Sequence, residues 1–477
     1  MRRTKIVATL GPASGPPEVL RKLLLAGVDV VRLNFSHGQP DDHRRRAQQV
    51  RAVAAELGRD IGILADLPGP KIRIESFAEG PVELVEGAAF VLDPAHPADA
   101  GTVERVGVAY AELAKDVRQG DTLLLNDGML RLRVQKVSGR AVHCVVEQGG
   151  ELSNRKGLNK QGGGLSAPAL TDADRAHIHT AVEIGVDFLA VSFPKTGDDM
   201  KKARWLAEAA GGEPLLVAKI ERTEAVANLD DILAESDVVM VARGDLGVEI
   251  GEPALPGVQK TVIRAAREAN RLVITATQMM ESMISNPIPT RAEVLDVANA
   301  VMDGTDAVML SAESATGQFP VQAVQAMARI CMGSESQETP QRSVSQLQDH
   351  FERIDEAIAM AAVYTARHTR AEAIIALTES GMTAIWMSRM DTRIPVFALT
   401  RHEHTRRRMA LVRGVYPVDF TPSNLDGVTA SRESAQAVLA LGLVHAGDRV
   451  VITKGDFNGP GGTNSLKVLQ VEAADPH

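Results

Sequence analysis

The chain has 477 residues, of which 44% are apolar and 24% charged, and its formal net charge is −9. These values indicate a soluble globular protein of two or three domains, and they exclude nucleic acid or an anionic membrane as the main partner, because either needs a broad basic surface. Two distant cysteines, no apolar stretch of membrane-spanning length and no export signal together predict a cytoplasmic protein.

Short β-branched runs recur along the first two thirds of the chain, most of them separated by stretches with helical apolar spacing. The eight runs are KIVATL from Lys5, DVVRLN from Asp29, IGILADL from Ile61, DFLAVSF from Asp187, LLVAKI from Leu215, DVVMVA from Asp237, RLVITAT from Arg271 and DAVMLS from Asp306. This alternation predicts a closed (β/α)₈ barrel, whose working groups lie at the carboxyl ends of the strands. Those ends carry Asn34, Asp66, Ser192, Lys219, Asp245, Thr277 and Ser311.

The alternation is interrupted after the third strand and ends near Thr339. Between about Gly69 and Pro168, alternating strand patterns with Gly-rich turns predict an inserted all-β domain, a small β-barrel that closes as a lid over the active face. A polar connector, SESQETPQRSVSQLQDH, then leads to a C-terminal α/β domain with an open sheet. The predicted domains are therefore a discontinuous barrel of residues 1–69 and 168–338, a lid of residues 70–167, and a third domain of residues 339–477.

Lys219 and Glu221 end the run LLVAKIE, and Asp245 ends the run DVVMVARGD. One ammonium and two carboxylates are therefore expected where buried strands meet solvent. Carboxylate oxygens are ligands that a hard divalent cation prefers, and a fixed positive charge beside it suits phosphate or enolate oxygens. A single such pair is more simply interpreted as a strand-end salt bridge, but repetition of polar strand ends around a barrel favours a functional site.

Several long motifs, in order along the chain, resemble the pyruvate kinase family. They are TKIVATLGPAS, VVRLNFSHG, AKIE, MVARGDLGVEI, ITATQMMESM and NPIPTRAEVLDVANAVMDGTDAVMLSAES. The resemblance implies transfer of a phosphoryl group from phosphoenolpyruvate to ADP, giving pyruvate and ATP, the last step of glycolysis. The TESG stretch and RHEHTRRRMALVRGVYPV further resemble the bacterial branch that is activated by sugar monophosphates or AMP. A homotetramer is implied, with NPIPTRAEVLDVANA near one interface.

The resemblance assigns roles to residues of the barrel mouth. Glu221 and Asp245 match the ligands of Mg²⁺, with Mn²⁺ as the alternative ion, and Lys219 matches the group that faces the transferring phosphoryl. Arginines suited to phosphate by their forked donors match at Arg32 and Arg73. The nucleotide-binding positions are Asn34, Arg73 and Lys195, of which Lys195 is equally well interpreted as a solvated surface lysine.

Further positions concern the substrate carboxylate and the final proton. The turn ARGDLG places Gly244 and Gly247 around Asp245 at a helix start, whose N–H groups suit the carboxylate. Thr277 matches the family residue beside the methylene carbon, and a relay of hydroxyls and water through Ser311 is expected to supply the proton, since a hydroxyl alone is a weak acid. A hydrogen-bonded strand end remains the alternative interpretation of Ser311 and Glu313.

Four positions match those around K⁺ in potassium-dependent relatives: Asn34, Ser36, Asp66 and the carbonyl of Leu67. The loop ADLPGPKIRI departs from those relatives, which typically carry Thr, Lys, Glu and Ser or Thr at Leu67, Pro68, Lys71 and Ile74. An ammonium at Lys71 supplies the single charge that K⁺ otherwise brings, and both would compete for one anionic pocket. We therefore expect activity without potassium. Thr316 is a second departure, where many relatives have a lysine.

In the third domain, the segment TESGMT follows a predicted strand and opens a helix. The family uses this loop for an effector phosphate, and the candidate contacts are Thr378, Ser380, Gly381 and Thr383. A plain strand–helix turn with an N-cap is the alternative. For the whole chain, two other functions stay open: a Mg²⁺-dependent phosphoenolpyruvate or 2-oxo-acid lyase or aldolase on the same barrel, and a regulatory protein with a vestigial barrel.

Overall fold

The computed structural model describes residues 1–337, 351, 353–390, 392–424, 428–455 and 461–473. The chain begins with three buried strands and two helices. These are β1 (Lys5–Thr9), α1 (Pro17–Ala26), β2 (Val30–Asn34), α2 (Pro40–Glu56) and β3 (Gly62–Asp66). A short 3₁₀ turn, Pro12–Ser14, follows β1. The three strands are buried almost throughout, as expected for a parallel sheet covered by helices.

The next segment is the all-β insert that the sequence predicts. Its elements are β4 (Val82–Leu84), β5 (Ala89–Leu92), β6 (Arg105–Val106), α3 (Leu113–Asp116), β7 (Thr122–Leu125), β8 (Leu130–Ser138), β9 (Ala141–Gln148), β10 (Gly150–Leu152) and β11 (Leu158–Lys160). Six strands form a sheet in the order β11-β7-β8-β9-β5-β6, and β10 pairs with β4. Single bridges join Arg73 to Gly157 beside one sheet edge and Ile74 to Val108 beside the other. The segment around Ile74 therefore spans both edges and rounds the sheet toward a barrel.

The chain then returns to strand–helix alternation. The elements are α4 (Asp172–Glu183), β12 (Phe188–Val191), α5 (Gly197–Ala209), β13 (Leu215–Ile220), α6 (Thr223–Ala227), α7 (Leu229–Glu235), β14 (Val238–Ala242), α8 (Arg243–Ile250), α9 (Leu255–Glu268), β15 (Leu272–Ala276), α10 (Arg291–Met302), β16 (Ala307–Leu310), α11 (Ala312–Ala315) and α12 (Pro320–Gln337). Two 3₁₀ turns, Glu252–Ala254 and Glu281–Ile284, lie between them. The closed barrel has the order β1-β16-β15-β14-β13-β12-β3-β2 with every pair parallel, which confirms the predicted eight strands.

The third domain has a five-stranded sheet. Its elements are α13 (Ile354–Thr369), β17 (Ala373–Leu377), α14 (Met382–Arg389), β18 (Val396–Thr400), α15 (Glu403–Met409), β19 (Val415–Asp419), α16 (Thr429–Ala440), β20 (Arg449–Gly455) and β21 (Thr463–Gln470). The strand order is β19-β18-β17-β20-β21, and only β21 runs antiparallel to its neighbour. Residues 338–350 of the predicted connector, with the predicted boundary at 338/339, lie outside the described residues.

The third domain packs against the floor of the barrel, opposite the carboxyl ends of the strands. One apolar cluster contains Val7 and Phe188 from the barrel together with Ala362 and Trp386 from α13 and α14. A buried ion pair between Arg389 and Asp306 crosses the same junction. Among the described residues, no helix is long and apolar enough to cross a membrane.

Candidate active site

The site forms around Lys219, whose ammonium lies at the mouth of the barrel. Lys219 Nζ lies 3.2 Å from Asp66 Oδ1 and 2.9 Å from Glu221 Oε1, and it donates a hydrogen bond of 2.7 Å to Ser192 Oγ. These groups come from β3, β12 and β13, which are neighbours in the barrel. The structure therefore brings together three of the seven predicted strand-end residues, Asp66, Ser192 and Lys219.

The charges in this cluster are buried and mutually compensated. Burial alone would lower the pKa of Lys219, but the carboxylates of Asp66 and Glu221 outweigh burial and raise it, so the lysine stays protonated. Burial also opposes ionisation of Asp66, and Arg32 and Lys219 overcome it, which lowers the Asp66 pKa. Glu221 behaves differently: burial and the nearby charge of Asp245 raise its pKa despite Lys219.

Arg32 extends the cluster toward β2. Its Nε donates a hydrogen bond of 2.6 Å to Asp66 Oδ2, and its Nη1 donates one of 3.0 Å to Thr9 Oγ1. Asp66 thus uses one oxygen for Arg32 and the other for Lys219. The two cations are held side by side by one buried carboxylate, which suits an anionic substrate such as a phosphate.

Asp245 lies in the first turn of α8, directly after β14. Its Oδ1 lies 3.0 Å from Lys71 Nζ, and Lys71 also approaches Asp127 of the insert at 3.8 Å. Burial raises the Glu221 pKa and the nearby charge of Asp245 adds to the shift, so a divalent cation beside both carboxylates would favour their ionised forms. Their oxygen donors fit Mg²⁺ or Mn²⁺. Within the described residues, no group of three or more His, Cys, Asp or Glu side chains is placed to hold a metal ion.

Lys71 was expected to supply the charge that K⁺ brings in relatives and to compete with K⁺ for one anionic pocket. In the structure its ion pairs are with Asp245 and Asp127, and the potassium requirement stays a prediction. The carboxylate of Asp66 is already engaged by Arg32 and Lys219. The Lys71 charge therefore lies on the side of the mouth where the divalent cation is expected.

The remaining potassium-position groups lie near β2 and β3. The Asn34 side-chain oxygen accepts a hydrogen bond of 3.1 Å from the backbone N–H of Ser36. Ser36 itself is exposed. The carbonyl of Leu67 accepts the hydroxyl of Ser192 at 2.7 Å. Together with Asp66, three of the four candidate positions therefore already have partners within the protein.

Thr277 follows β15 and adopts a left-handed backbone conformation with φ 66°, which is unusual for a β-branched residue and is typical of functional sites. Its hydroxyl donates to the carbonyl of Ala276 at 2.7 Å and accepts the backbone N–H of Gly244 at 2.8 Å. Arg243 donates to the Thr277 carbonyl at 2.6 Å. The Gly244 N–H, which we expected to face the substrate carboxylate, is thus engaged by Thr277 in this structure.

Ser311 caps the short helix α11 after β16. Its backbone N–H donates to Glu313 at 2.7 Å, and the same carboxylate accepts the backbone N–H of Met280 at 3.2 Å. Burial raises the Glu313 pKa. This pattern agrees with the strand-end interpretation of Glu313, while the role of the Ser311 hydroxyl stays a prediction.

Arg73 and Lys195, the two predicted nucleotide-phosphate contacts, have different surroundings. Arg73 is exposed on the insert and donates to the carbonyl of Arg155 at 3.0 Å. Lys195 is half-buried, and its pKa is lowered by burial and by the neighbouring Arg222. Its half-buried position near Arg222 distinguishes Lys195 from a freely solvated surface lysine, and binding of nucleotide phosphates stays a prediction.

The predicted effector residues line a cavity in the third domain. The Thr378 hydroxyl accepts the backbone N–H of Gly381 at 2.9 Å, and Thr383 is hydrogen-bonded to Thr463 at 2.9 Å. Gly381 has φ +86°, and a Cβ there would lie 2.5 Å from the Met409 side chain, so only glycine fits. Positive side chains on the cavity wall come from Arg401 and Lys454.

Three groups of the site were not assigned roles from the sequence. They are Ser192, the backbone N–H of Phe193, which donates to Glu221 at 2.8 Å, and Thr9, which accepts from Arg32. The strand-end position of Ser192 was visible in the sequence and could have identified it. Thr9 ends β1 in the same way, whereas a backbone N–H leaves no signal in a sequence.

Comparison with known proteins is consistent across the chain. The family models described as "Pyruvate kinase, barrel domain" and "Pyruvate kinase, alpha/beta domain" match residues 1–324 and 356–469. A relative from Salmonella typhimurium, "Pyruvate kinase II", is 54% identical over 99% of both chains. "Pyruvate kinase" of Haemophilus influenzae is 51% identical over 99% of both chains, and "Pyruvate kinase" of Agrobacterium vitis is 44% identical over 98% of both.

Proposed function

This chain belongs to the pyruvate kinase family, and we propose that Lys219, Glu221 and Asp245 at its barrel mouth carry the family's reaction. The enzyme transfers the phosphoryl group of phosphoenolpyruvate to ADP and forms pyruvate and ATP, a step of glycolysis. The lyase or aldolase alternative is not favoured, because the matching relatives are named pyruvate kinases over nearly their full length. The intact Lys219, Glu221, Asp245 and Thr277 argue against a purely regulatory protein.

The observation that carries the proposed mechanism is the Lys219 ammonium, held within 3.2 Å of two carboxylates. In the reaction the bond between the enol oxygen and phosphorus breaks, and a terminal oxygen of ADP bonds to that phosphorus. Negative charge shifts toward the enol oxygen as this happens, and little covalent work remains for the protein. A preorganised ammonium at that oxygen stabilises the transition state more than the bound substrate.

Glu221 and Asp245 are the proposed ligands of Mg²⁺, with Mn²⁺ as the alternative. When bound, this ion supplies positive charge to the phosphoryl and enolate oxygens. Arg32 is proposed to bind the phosphate of phosphoenolpyruvate, and Arg73 and Lys195 the phosphates of the nucleotide, with Asn34 nearby. Their forked or compact cationic donors suit phosphate oxygens, and the reaction requires the phosphates of both substrates to be held close together.

The enolate left by phosphoryl loss must gain a proton on its methylene carbon. We assign Thr277 to this face of the substrate, with Ser311 as the next member of a hydroxyl and water relay. In the structure the Thr277 proton is donated to Ala276. Donation to substrate therefore requires the hydroxyl proton to turn away from the Ala276 carbonyl, and the Gly244 N–H becomes free for the substrate carboxylate when the Thr277 side chain also rotates.

Potassium independence is proposed from the position of Lys71. Its ammonium lies 3.0 Å from Asp245, so one positive charge is already present at the anionic mouth without a monovalent cation. The Leu67 carbonyl and the Asn34 side chain are engaged by Ser192 and Ser36. Both features reduce what a bound K⁺ would gain from this site.

Allosteric activation by a sugar monophosphate or AMP is proposed for the third-domain cavity. Thr378, Ser380, Gly381 and Thr383 begin or precede α14, and hydroxyls and N–H groups at a helix start suit a phosphate. Arg401 adds positive charge to the same cavity. The region is polar enough for a sugar phosphate and far from the mouth of the barrel, since the third domain packs on the barrel floor.

A homotetramer in the cytoplasm is proposed as the working form. Exposed apolar side chains on and before α10, namely Ile288, Leu295 and Met302, supply a surface suited to a second copy. In the third domain β21 is an edge strand that carries the exposed Val468. Both cysteines are free and buried, and burial raises the pKa of each to about 12, which agrees with a reducing compartment.

The reaction is tested by coupling pyruvate formation to NADH oxidation by lactate dehydrogenase. Purified enzyme with phosphoenolpyruvate, ADP and Mg²⁺ is expected to form pyruvate in proportion to ATP. Omission of ADP or of the divalent ion should abolish the signal. Pyruvate formed without ADP would instead favour a phosphatase or lyase activity.

A further inference from the structure

Ser192 lies between the Lys219 ammonium and the chain segment that enters the insert. Its hydroxyl accepts a hydrogen bond of 2.7 Å from Lys219 Nζ and donates one of 2.7 Å to the carbonyl of Leu67. An ammonium has only donors and a hydroxyl has one proton, so these two bonds fix the direction of the hydroxyl. The residue is 1% exposed, and solvent therefore has no ready access to replace either partner.

Gly69, two residues beyond Leu67, packs directly on Ser192. It has φ +64°, and a Cβ built on it would lie 2.7 Å from Ser192 Cβ and 3.1 Å from the Ser192 carbonyl oxygen. No side chain fits between these two backbones without displacement. A movement of the segment entering the insert is therefore transmitted to Ser192 by direct contact.

Asp174 holds both covalent connections between the insert and the barrel. One of its oxygens accepts the backbone N–H of Gly69, on the entering connection, at 3.1 Å. The other accepts the backbone N–H and the hydroxyl of Thr171, on the returning connection, at 2.9 and 2.6 Å. Asp174 is fully buried, so these bonds are not in competition with water.

The residue after Ser192 holds the neighbouring carboxylate. The backbone N–H of Phe193 donates to Glu221 Oε2 at 2.8 Å, and Phe193 has φ 56°, a left-handed conformation that is unusual outside glycine. Such conformations persist when the surrounding structure enforces them, and they cluster at functional sites. The dipeptide Ser192–Phe193 thus contacts Lys219, Glu221 and Gly69 together.

We propose that Ser192 is a positioning residue for phosphoryl transfer, which sets the Lys219 ammonium in place when Asp174 holds the two connections of the insert. The arrangement couples closure of the insert over substrate to the position of the group that stabilises the transferring charge. The proposal rests on the role assigned to Lys219 above, and its test keeps the two ideas apart.

The first test is Ser192→Ala, assayed at saturating phosphoenolpyruvate, ADP and Mn²⁺. Loss of a hydrogen bond to a charged group is expected to lower kcat by about 10- to 100-fold. The KM for phosphoenolpyruvate and the Mn²⁺ affinity should change by about twofold or less, because the phosphate-binding arginines and the metal carboxylates are untouched. A merely structural serine would leave kcat at saturation unchanged. The matched control is Ser236→Ala, which removes an equally buried barrel hydroxyl that has no hydrogen-bond partner and should leave kcat at the parent value.

The second test is Asp174→Asn, which keeps the size of the side chain and removes one acceptor. Amide hydrogen exchange across residues 70–167 should accelerate, and kcat should fall. Asp174 acts on Ser192 through the contact between Gly69 and Ser192. The fall in kcat of the double variant Asp174→Asn and Ser192→Ala should therefore be smaller than the product of the two single falls. Two results would overturn the coupling: faster amide exchange in the insert with an unchanged kcat, or a fall in kcat of the double variant equal to the product of the single falls.

Lys219→Met, measured in parallel, distinguishes the positioning role of Ser192 from the role of Lys219 in phosphoryl transfer. If Lys219→Met loses activity and Ser192→Ala keeps kcat within about threefold of the parent, the positioning role is wrong and the role of Lys219 stands. If Lys219→Met itself retains full activity, the mechanism on which the positioning role depends is wrong.

Discussion

Lys71 Nζ lies 3.0 Å from Asp245 Oδ1, so a lysine of the loop leading into the insert pairs with a carboxylate proposed to bind the divalent cation. This pair supports activity without potassium. We expect kcat in potassium chloride and in tetramethylammonium chloride of equal ionic strength to agree within about twofold, since the ammonium already supplies the monovalent charge. The measurement is the coupled assay at saturating substrates with both salts.

Lys71→Glu reverses the charge and restores the residue typical of potassium-dependent relatives. This variant should lose activity in tetramethylammonium and regain it, at least in part, in potassium. Lys201→Glu, an exposed lysine on α5, is the matched control and should respond to neither salt. A parent enzyme that needs K⁺ would contradict the proposal.

Glu249 should make the stability of the enzyme depend on pH. Burial, with a contribution from nearby Glu224, raises its pKa from the ordinary 4.5 to about 7, although the backbone N–H of Thr223 and the charge of Arg222 oppose the shift. A carboxyl group whose pKa is raised by folding stabilises the fold fully at pH values below its pKa in the unfolded chain. This contribution is lost as the pH rises through about 7, the pKa in the folded protein. Near pH 8, Glu249→Gln should therefore increase the free energy of unfolding by roughly 1–3 kcal/mol and raise the thermal midpoint. Near pH 4 it should leave both unchanged.

The measurement is thermal denaturation without divalent ions across this pH range. Glu83→Gln, an exposed carboxyl on the insert, is the control and should shift neither midpoint. A Glu249→Gln variant that is less stable than the parent near pH 8 would show that the ionised carboxylate is favourable in the fold.

The Arg389–Asp306 pair should dominate the attachment of the third domain. Both side chains are almost fully buried, and Asp306 also accepts the backbone N–H groups of Arg413 and Val273 at 3.1 and 2.9 Å. Arg389→Met leaves a buried carboxylate without its cation and should destabilise the protein by about 3–5 kcal/mol in urea denaturation. Arg21→Met, which breaks an exposed pair with Glu56, should cost less than about 1 kcal/mol. Equal effects of the two substitutions would refute the assignment.

Substitutions in the predicted effector cavity should reduce activation by the effector without reducing turnover. Glucose 6-phosphate, ribose 5-phosphate and AMP should each be tested for a lower apparent KM for phosphoenolpyruvate. Thr378→Val removes a hydroxyl from the predicted effector-phosphate loop. It should raise the effector concentration that gives half-maximal activation by about tenfold or more and leave kcat unchanged. Thr369→Val, in α13 of the same domain, should be activated normally. Saturation curves unaffected by all three effectors would remove the proposal.

The barrel was predictable because its strands carry near-continuous apolar runs that only a doubly covered parallel sheet buries. In the third domain the apolar runs AIIAL, PVFAL and RVVIT predict β17, β18 and β20, whereas β19 and β21 lack such runs for physical reasons. β19 contains Pro417, which reads as a strand breaker but is tolerated because β19 lies at the sheet edge. β21 is mostly half-exposed, so it lacks the apolar pattern of a buried strand.

The site was predictable where a side chain stands at the end of a strand, as at Lys219, Asp66 and Thr277. Contacts that depend on how the insert folds back over the barrel were not. The pairing of Lys71 with Asp245 joins residues 174 positions apart, and neither sequence neighbourhood indicates it. The use of the Gly244 N–H by Thr277 likewise follows from the left-handed backbone of Thr277, which a β-branched residue does not suggest.

Lys219→Met tests the central claim most directly, by the initial rate of pyruvate formation at saturating phosphoenolpyruvate, ADP and Mg²⁺. The substitution removes the ammonium between Asp66 and Glu221, and loss of one preorganised charge at the transferring group should lower kcat by about 10²–10³-fold or more. Binding of Mn²⁺ should persist, because Glu221 and Asp245 remain. A variant that binds the metal and turns over within about tenfold of the parent rate would contradict the mechanism.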